Sequence, residues 1–120
     1  MSELIDWSQI KELEDDMGAE DLGEVIEIFL SEVESALGPL VDAPPTDAGE
    51  MASQMHFLKG CAYNLGFAAF GAICAEGEAK SHGGDLSGVV INDVSALYGA
   101  SKTEFIRDFS LHSSAVLEPA

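Results

Sequence analysis

The sequence predicts an all-α fold, and three observations carry the prediction. Apolar residues recur at spacings of three and four along most of the chain, helix-capping pairs stand in front of three of these runs, and no segment alternates with the period of two of a half-buried strand. Four amphipathic helices joined by short turns pack most simply as an up-down-up-down four-helix bundle, with a short accessory N-terminal helix as a lid at one end. The 120 residues suit a single domain, 1–120.

Asp6 with Gln9 three residues on forms a capping box that opens the accessory helix, about 7–17, whose stripe of Trp7, Ile10, Leu13 and Met17 ends at Gly18. Asp21 with Glu24 repeats the signal for a second helix, about 21–37. There Leu22, Val25, Ile26, Phe29, Val33 and Leu37 face inward, and Gly38-Pro39 is expected to stop the helix. Pro44-Pro45 makes residues 41–46 a stiff connection. Asp47 with Glu50 caps a third helix, about 48–65, closed by Asn64 and Gly66. A fourth, about 67–81, is rich in alanine, with Phe70, Ile73 and Cys74 apolar, and His82-Gly83-Gly84 ends it. Val90, Val94, Leu97, Ser101 and Phe105 trace a fifth, about 88–109, and the tail 110–120 has so little periodicity that it is expected to fray.

Charge narrows the function. Twenty-two acidic side chains against 5 basic ones give a net charge of -17, which repels nucleic-acid phosphates and anionic membrane surfaces. A hydrophobic content of 47% and a mean hydropathy of +0.14 separate the chain from unfolded polyanions. Met1–Ile10 carries no basic stretch followed by an apolar one, and no apolar run approaches the roughly 18 residues that span a bilayer. Cys61 and Cys74 lack a C-x-x-C spacing. A cytoplasmic protein with two free thiols is expected.

The third helix is the informative one. Met51, Met55, Leu58, Ala62 and Leu65 fall on one side of a helix advancing about 100° per residue, which makes them the core stripe. Measured from Leu58, His56 lies about 160° away, and Gly49, Ser53, Gly60 and Tyr63 lie within about 40° of the direction opposite the core. His56 should therefore point outward from mid-helix, with Lys59 on the flank at i+3. Exposed helix faces are normally filled with charge and good helix formers, yet this one reads Gly-Ser-His-Gly-Tyr, with a glycine that costs about 1 kcal/mol against alanine. Residues 51–75 also hold no acidic side chain. A charge-poor face of small residues around one imidazole reads as a docking surface. An imidazole can take a phosphoryl group on nitrogen, a cation one turn away offsets the added charge, and a glycine at i+4 leaves room for a partner to close over it.

His56-Phe57-Leu58-Lys59-Gly60 followed by Gly66 resembles the H-x-L-K-G-x5-G signature of histidine-containing phosphotransfer (HPt) domains. The likeness runs from Ile5-Asp6 and Phe29 to Cys74 and Glu78 and covers roughly residues 4 to 109. It implies a four-helix bundle with an accessory helix, and a phosphorelay intermediate that takes a phosphoryl group from a receiver-domain aspartate, or from a hybrid kinase, and passes it to another response regulator. Under the resemblance His56 is the acceptor at Nε2, Lys59 steadies the phosphoryl group, Gly60 gives access and Gly66 serves the bend after the third helix. Magnesium belongs to the receiver, so the chain needs no cofactor of its own and is a carrier, expected as a monomer. Cys61 and Phe67 depart from the residues usual in the family, and no basic residue precedes His56 on its helix.

Two other readings compete with the carrier: a docking module of the same fold that performs no chemistry, and a metal or redox role for Glu78 with His82 or for the thiols. His82 otherwise reads as a helix-end residue favoured by the macrodipole, His112 as part of the frayed tail, and Glu76 with Lys80 as an i,i+4 ion pair. Cys74 reads as a core filler, and Cys61 stays unassigned. An ATP-dependent kinase is not expected, because the chain has no phosphate-cradling glycine loop with an adjacent lysine and no room for a nucleotide domain beside the bundle.

Overall fold

Five α-helices carry most of the chain: α1 (Trp7–Met17), α2 (Ala19–Asp42), α3 (Ala48–Leu65), α4 (Ala68–His82) and α5 (Ile91–Asp108). This is a computed structural model, and it describes residues 4–117. Met1–Glu3, where a leader is not expected, and Glu118–Ala120, the end of the tail, lie outside the described residues. Short 3-10 turns at Leu86–Gly88 and Phe109–Leu111 flank α5. Among the described residues there is no strand, only an isolated bridge between Ile5 and Phe67.

The capping logic holds at two helix starts and fails at a third. The Asp6 carboxylate accepts from the Ser8 N–H at 3.2 Å and that of Asp47 from the Glu50 N–H at 2.9 Å, each satisfying a donor the helix leaves open. Asp21 does not cap. Gly18, at φ +85°, ends α1 and begins α2 as the single residue between them, which puts Glu20 and Asp21 in the first turn of α2, beside the positive end of the helix dipole.

The far end of α2 is also displaced. The helix runs through Gly38-Pro39 to Asp42 instead of stopping. An interior proline costs about 3 kcal/mol through its lost donor and its ring clash. Leu40, buried one residue past Pro39, returns about 1.5–3 kcal/mol by staying in the core, and the Ala43 N–H closes the turn on the Pro39 carbonyl at 2.9 Å. The buried stripe of α2 is Leu22, Ile26, Leu30, Val33, Leu37 and Leu40, so the helix is rotated slightly from expectation and leaves Val25 and Phe29 half-buried.

α3 buries its predicted stripe in full, and Cys61 joins it at 5% exposure. α4 lies against α3 through small residues. A Cβ on Gly77 would sit 3.0 Å from Met55 Sδ, and one on Gly71 would sit 2.5 Å from the ring of Tyr63. This close approach lets side chains of α3 and α4 reach one another at the surface. α5 buries Ile91, Val94, Tyr98, Ser101 and Phe105; Val90 is the exposed N-cap residue and Leu97 is half-buried. The Tyr98 hydroxyl donates to Glu34 Oε2 at 2.7 Å, and burial together with that carboxylate pushes the phenol upward.

Part of the tail expected to fray, residues 112–115, is packed, while Leu111 and Val116 stay exposed. His112 stacks on Trp7 with centroids 4.1 Å apart, Trp7 stacks on Phe105 at 5.2 Å, Ala115 is buried, and the Ser113 hydroxyl and Ser114 N–H both donate to Glu14. The Ser113 hydroxyl, ahead of desolvation, holds the Glu14 carboxyl below the usual carboxylate range. No periodicity is needed here, because the segment is held by contacts with α1 rather than by a helix of its own.

Candidate functional site

The α3–α4 turn positions the site. Gly66 ends α3 at φ +74°, its N–H reaching back to the Tyr63 carbonyl at 3.2 Å, while Phe67 donates to the Ala62 carbonyl at 2.8 Å. A Cβ on Gly66 would lie 2.5 Å from the Asp6 carbonyl oxygen, and that strand-like approach is sealed by the Asp6 N–H donating to the Gly66 carbonyl at 2.6 Å. From this turn α3 and α4 run back alongside each other, which brings residues 56–59 opposite residue 78.

His56 stands on the exposed face as predicted, with its side chain 69% exposed. Gly49, Ser53, Gly60 and Tyr63 are exposed with it, although Tyr63 also leans its ring over Gly71 of α4. A Cβ on Gly60 would meet nothing within 4 Å, so no internal packing requires glycine there.

One participant was expected only as part of the family likeness and, with His82, in the competing metal reading. Glu78 of α4 reaches between His56 and Lys59: Oε2 lies 2.9 Å from His56 Nδ1, and Oε1 accepts from Lys59 Nζ at 2.6 Å. Its side chain is only 16% exposed. The hydrogen bond from Lys59, ahead of the one from His56, holds the Glu78 carboxyl below the usual carboxylate range. A carboxylate accepts and cannot donate, so Nδ1 is the donor in this contact, and in the neutral ring the lone pair is then on Nε2. His82, one turn along α4, places Nε2 3.7 Å from the same Oε2. The sequence offered one signal for Glu78: an antiparallel hairpin folded about Gly66 sets an acid roughly as far after the turn as His56 is before it.

The other candidates separate from this site. Cys61 and Cys74 are free and buried. Burial raises both thiols, and with Cys61 as its neighbour Cys74 is pushed up to about 12, so neither offers a thiolate near neutral pH. Among the described residues no group of three or more His, Cys, Asp or Glu is arranged to hold a metal ion, and no helix is long and apolar enough to cross a membrane. Glu76 and Lys80 form the expected ion pair at 2.8 Å.

A groove of about 530 Å³ runs between α2 and α3, with Glu32, Ala36, Pro39, Leu40, Gln54 and Phe57 in its lining. Its α2 wall includes the turn that continues past Pro39. Phe57, next to His56, is 43% exposed.

No curated protein and no solved structure matches the chain. A family model does: that of the Hpt domain matches residues 24–104, a stretch that takes in all of α3 and α4 and with them His56, Lys59, Gly60, Gly66 and Glu78. With well over half of its length matched, the chain belongs to the Hpt domain family, whose members act in histidine phosphotransfer in two-component signalling through receiver domains and kinases.

Proposed function

We propose that this chain is a phosphorelay intermediate that accepts a phosphoryl group on Nε2 of His56 from a receiver-domain aspartate, or from a hybrid kinase, and passes it to another response regulator. The observation that carries the reading is the hydrogen bond from His56 Nδ1 to Glu78, which leaves the Nε2 lone pair outward on an exposed face. The step needs no proton transfer at the ring. The Nε2 lone pair attacks phosphorus, the P–O bond to the donor aspartate breaks with its electrons going to the carboxylate, and Nδ1 keeps its hydrogen. The phosphorylated ring then carries a positive charge that the Glu78 carboxylate faces and offsets.

Lys59 is 28% exposed and bound to Glu78 in the resting chain, close enough in sequence and space to turn toward a phosphoryl group on His56. Its help is modest: an exposed charge pair at about 4 Å is worth about 1 kcal/mol in water. Magnesium and its carboxylate ligands therefore belong to the receiver, and this chain acts as a stoichiometric carrier. Gly49, Ser53, Gly60 and Tyr63 form the docking face, extended on one side by Phe57 and the α2–α3 groove. Gly66 serves the bend that sets α4, and so Glu78, against α3. We read the helices as an up-down-up-down bundle of α2 to α5 with α1 as the accessory helix, acting as a monomer in the cytoplasm.

The test is transfer of label from a phosphorylated receiver. An acid-labile phosphoramidate should form on the wild-type chain and be lost in His56→Gln. Label that persists in that variant refutes the assignment, and receiver binding without transfer favours a docking module that does no chemistry.

A further inference from the structure

Glu78 has a third neighbour that the phosphorelay reading leaves unused. His82 Nε2 stands 3.7 Å from Oε2, the oxygen that already holds His56 Nδ1 at 2.9 Å, while Lys59 takes Oε1 at 2.6 Å. Two hydrogen-bonded side chains of α3 and, just beyond hydrogen-bond reach, an imidazole nitrogen of α4 converge on one half-buried carboxylate, and both imidazoles are exposed. His82 belongs to the same helix as Glu78. It follows Glu78 at i+4, and it sits at the last residue of α4, where the helix dipole favours a cation.

We propose that His82 is a positioning residue for the phospho-acceptor, acting through Glu78: neutral, it leaves Oε2 to His56 Nδ1, and protonated, it competes for that oxygen and loosens the hold on the ring. The effect on transfer rests on the phosphorelay reading, whereas the competition itself does not. When His56 accepts a phosphoryl group its ring becomes cationic, and a charged His82 across the same carboxylate withdraws part of the charge that offsets it.

The other charged groups around α4 lie apart from this cluster. On α3, Glu50 lines the groove toward α2. On α4, Glu76 and Lys80 pair with each other and line the cleft toward α5, where Asp93 also lies. Asp85 accepts from the Ser87 hydroxyl and the Gly88 N–H. His56 is thus the other imidazole of the cluster, and the comparison has to be between chains that differ only at residue 82.

Imidazole nitrogen NMR on the unphosphorylated chain, from about pH 5 to 8, provides a readout that a merely structural residue would not move. In the wild type the His56 Nδ1 signal should show a second inflection as His82 charges. That inflection should vanish in His82→Gln and in His82→Lys alike, leaving only the response of His56 itself, with the His82→Lys signal offset across the range in the direction that charging His82 moves the wild type. In transfer assays the ratio of the His82→Gln rate to the wild-type rate should rise on acidification to about two- to fivefold, the range of an exposed ion pair, and His82→Lys should be slow at every pH. Identical His56 titrations in all three chains would overturn the proposal. A wild-type chain that accepts label from no receiver would overturn the phosphorelay reading instead and leave the NMR result standing.

Discussion

Gly60 separates two effects that usually travel together. Glycine inside a helix is worth about 0.5–1 kcal/mol less than alanine, and a methyl group here would touch nothing within 4 Å. Gly60→Ala should therefore stabilise the fold by about that amount in a denaturant titration. Under the proposed function it should also slow phosphoryl transfer, because the added group stands one turn from His56 on the proposed docking face; equal transfer rates would remove the access role. The outward aim of His56 and the openness at Gly60 were legible in the sequence, because both follow from the 3.6-residue period once the core stripe is set by Met51, Met55 and Leu58. Glu78 was not, because its role depends on the register between two helices, which no single-helix pattern contains. His112 fails for the same reason: its partner, Trp7, lies at the other end of the chain.

At the scale of elements, α3 is read correctly to the residue, since both its ends carry chemistry of their own in the Asp47 cap and in Gly66. α2 misleads at both ends. Gly18 begins it without a side-chain cap, and the burial of Leu40 carries it through a proline, so tertiary packing outweighs local signals at each end. The α3–α4 turn is where a single substitution should matter most. Gly66→Ala forces a side chain into a left-handed conformation and against the Asp6 carbonyl. We expect a loss of about 1–3 kcal/mol, measured by thermal or denaturant unfolding, together with a fall in transfer as α4 and Glu78 lose register with α3. A destabilised chain that still transfers at the wild-type rate would show that the turn serves stability alone.

Over the whole molecule the charge of -17 is set against very few cations. Lys59, Lys80, Lys102 and Arg107 each lie within 4.0 Å of a carboxylate, so most of the positive charge is spent internally and the surface is left with repelling acids. Such self-repulsion destabilises a compact state, and salt screens it: the Debye length falls from about 30 Å at 0.01 M to about 8 Å at 0.15 M. The melting temperature should rise by a few degrees over that interval of sodium chloride; a fall would mean that the ion pairs outweigh the repulsion. The acids thin out over residues 51–75, so a partner at the α3 face meets less of this field than the total suggests. The stack of His112 on Trp7 on Phe105 has an optical consequence. Trp7 is the sole indole of the chain, and it sits by the Gly66 end of α3, about 15 Å along that helix from His56. Its fluorescence is thus a built-in gauge of whether residues 109–117 are seated on α1, one that reads the far end of the molecule during any assay of transfer to His56.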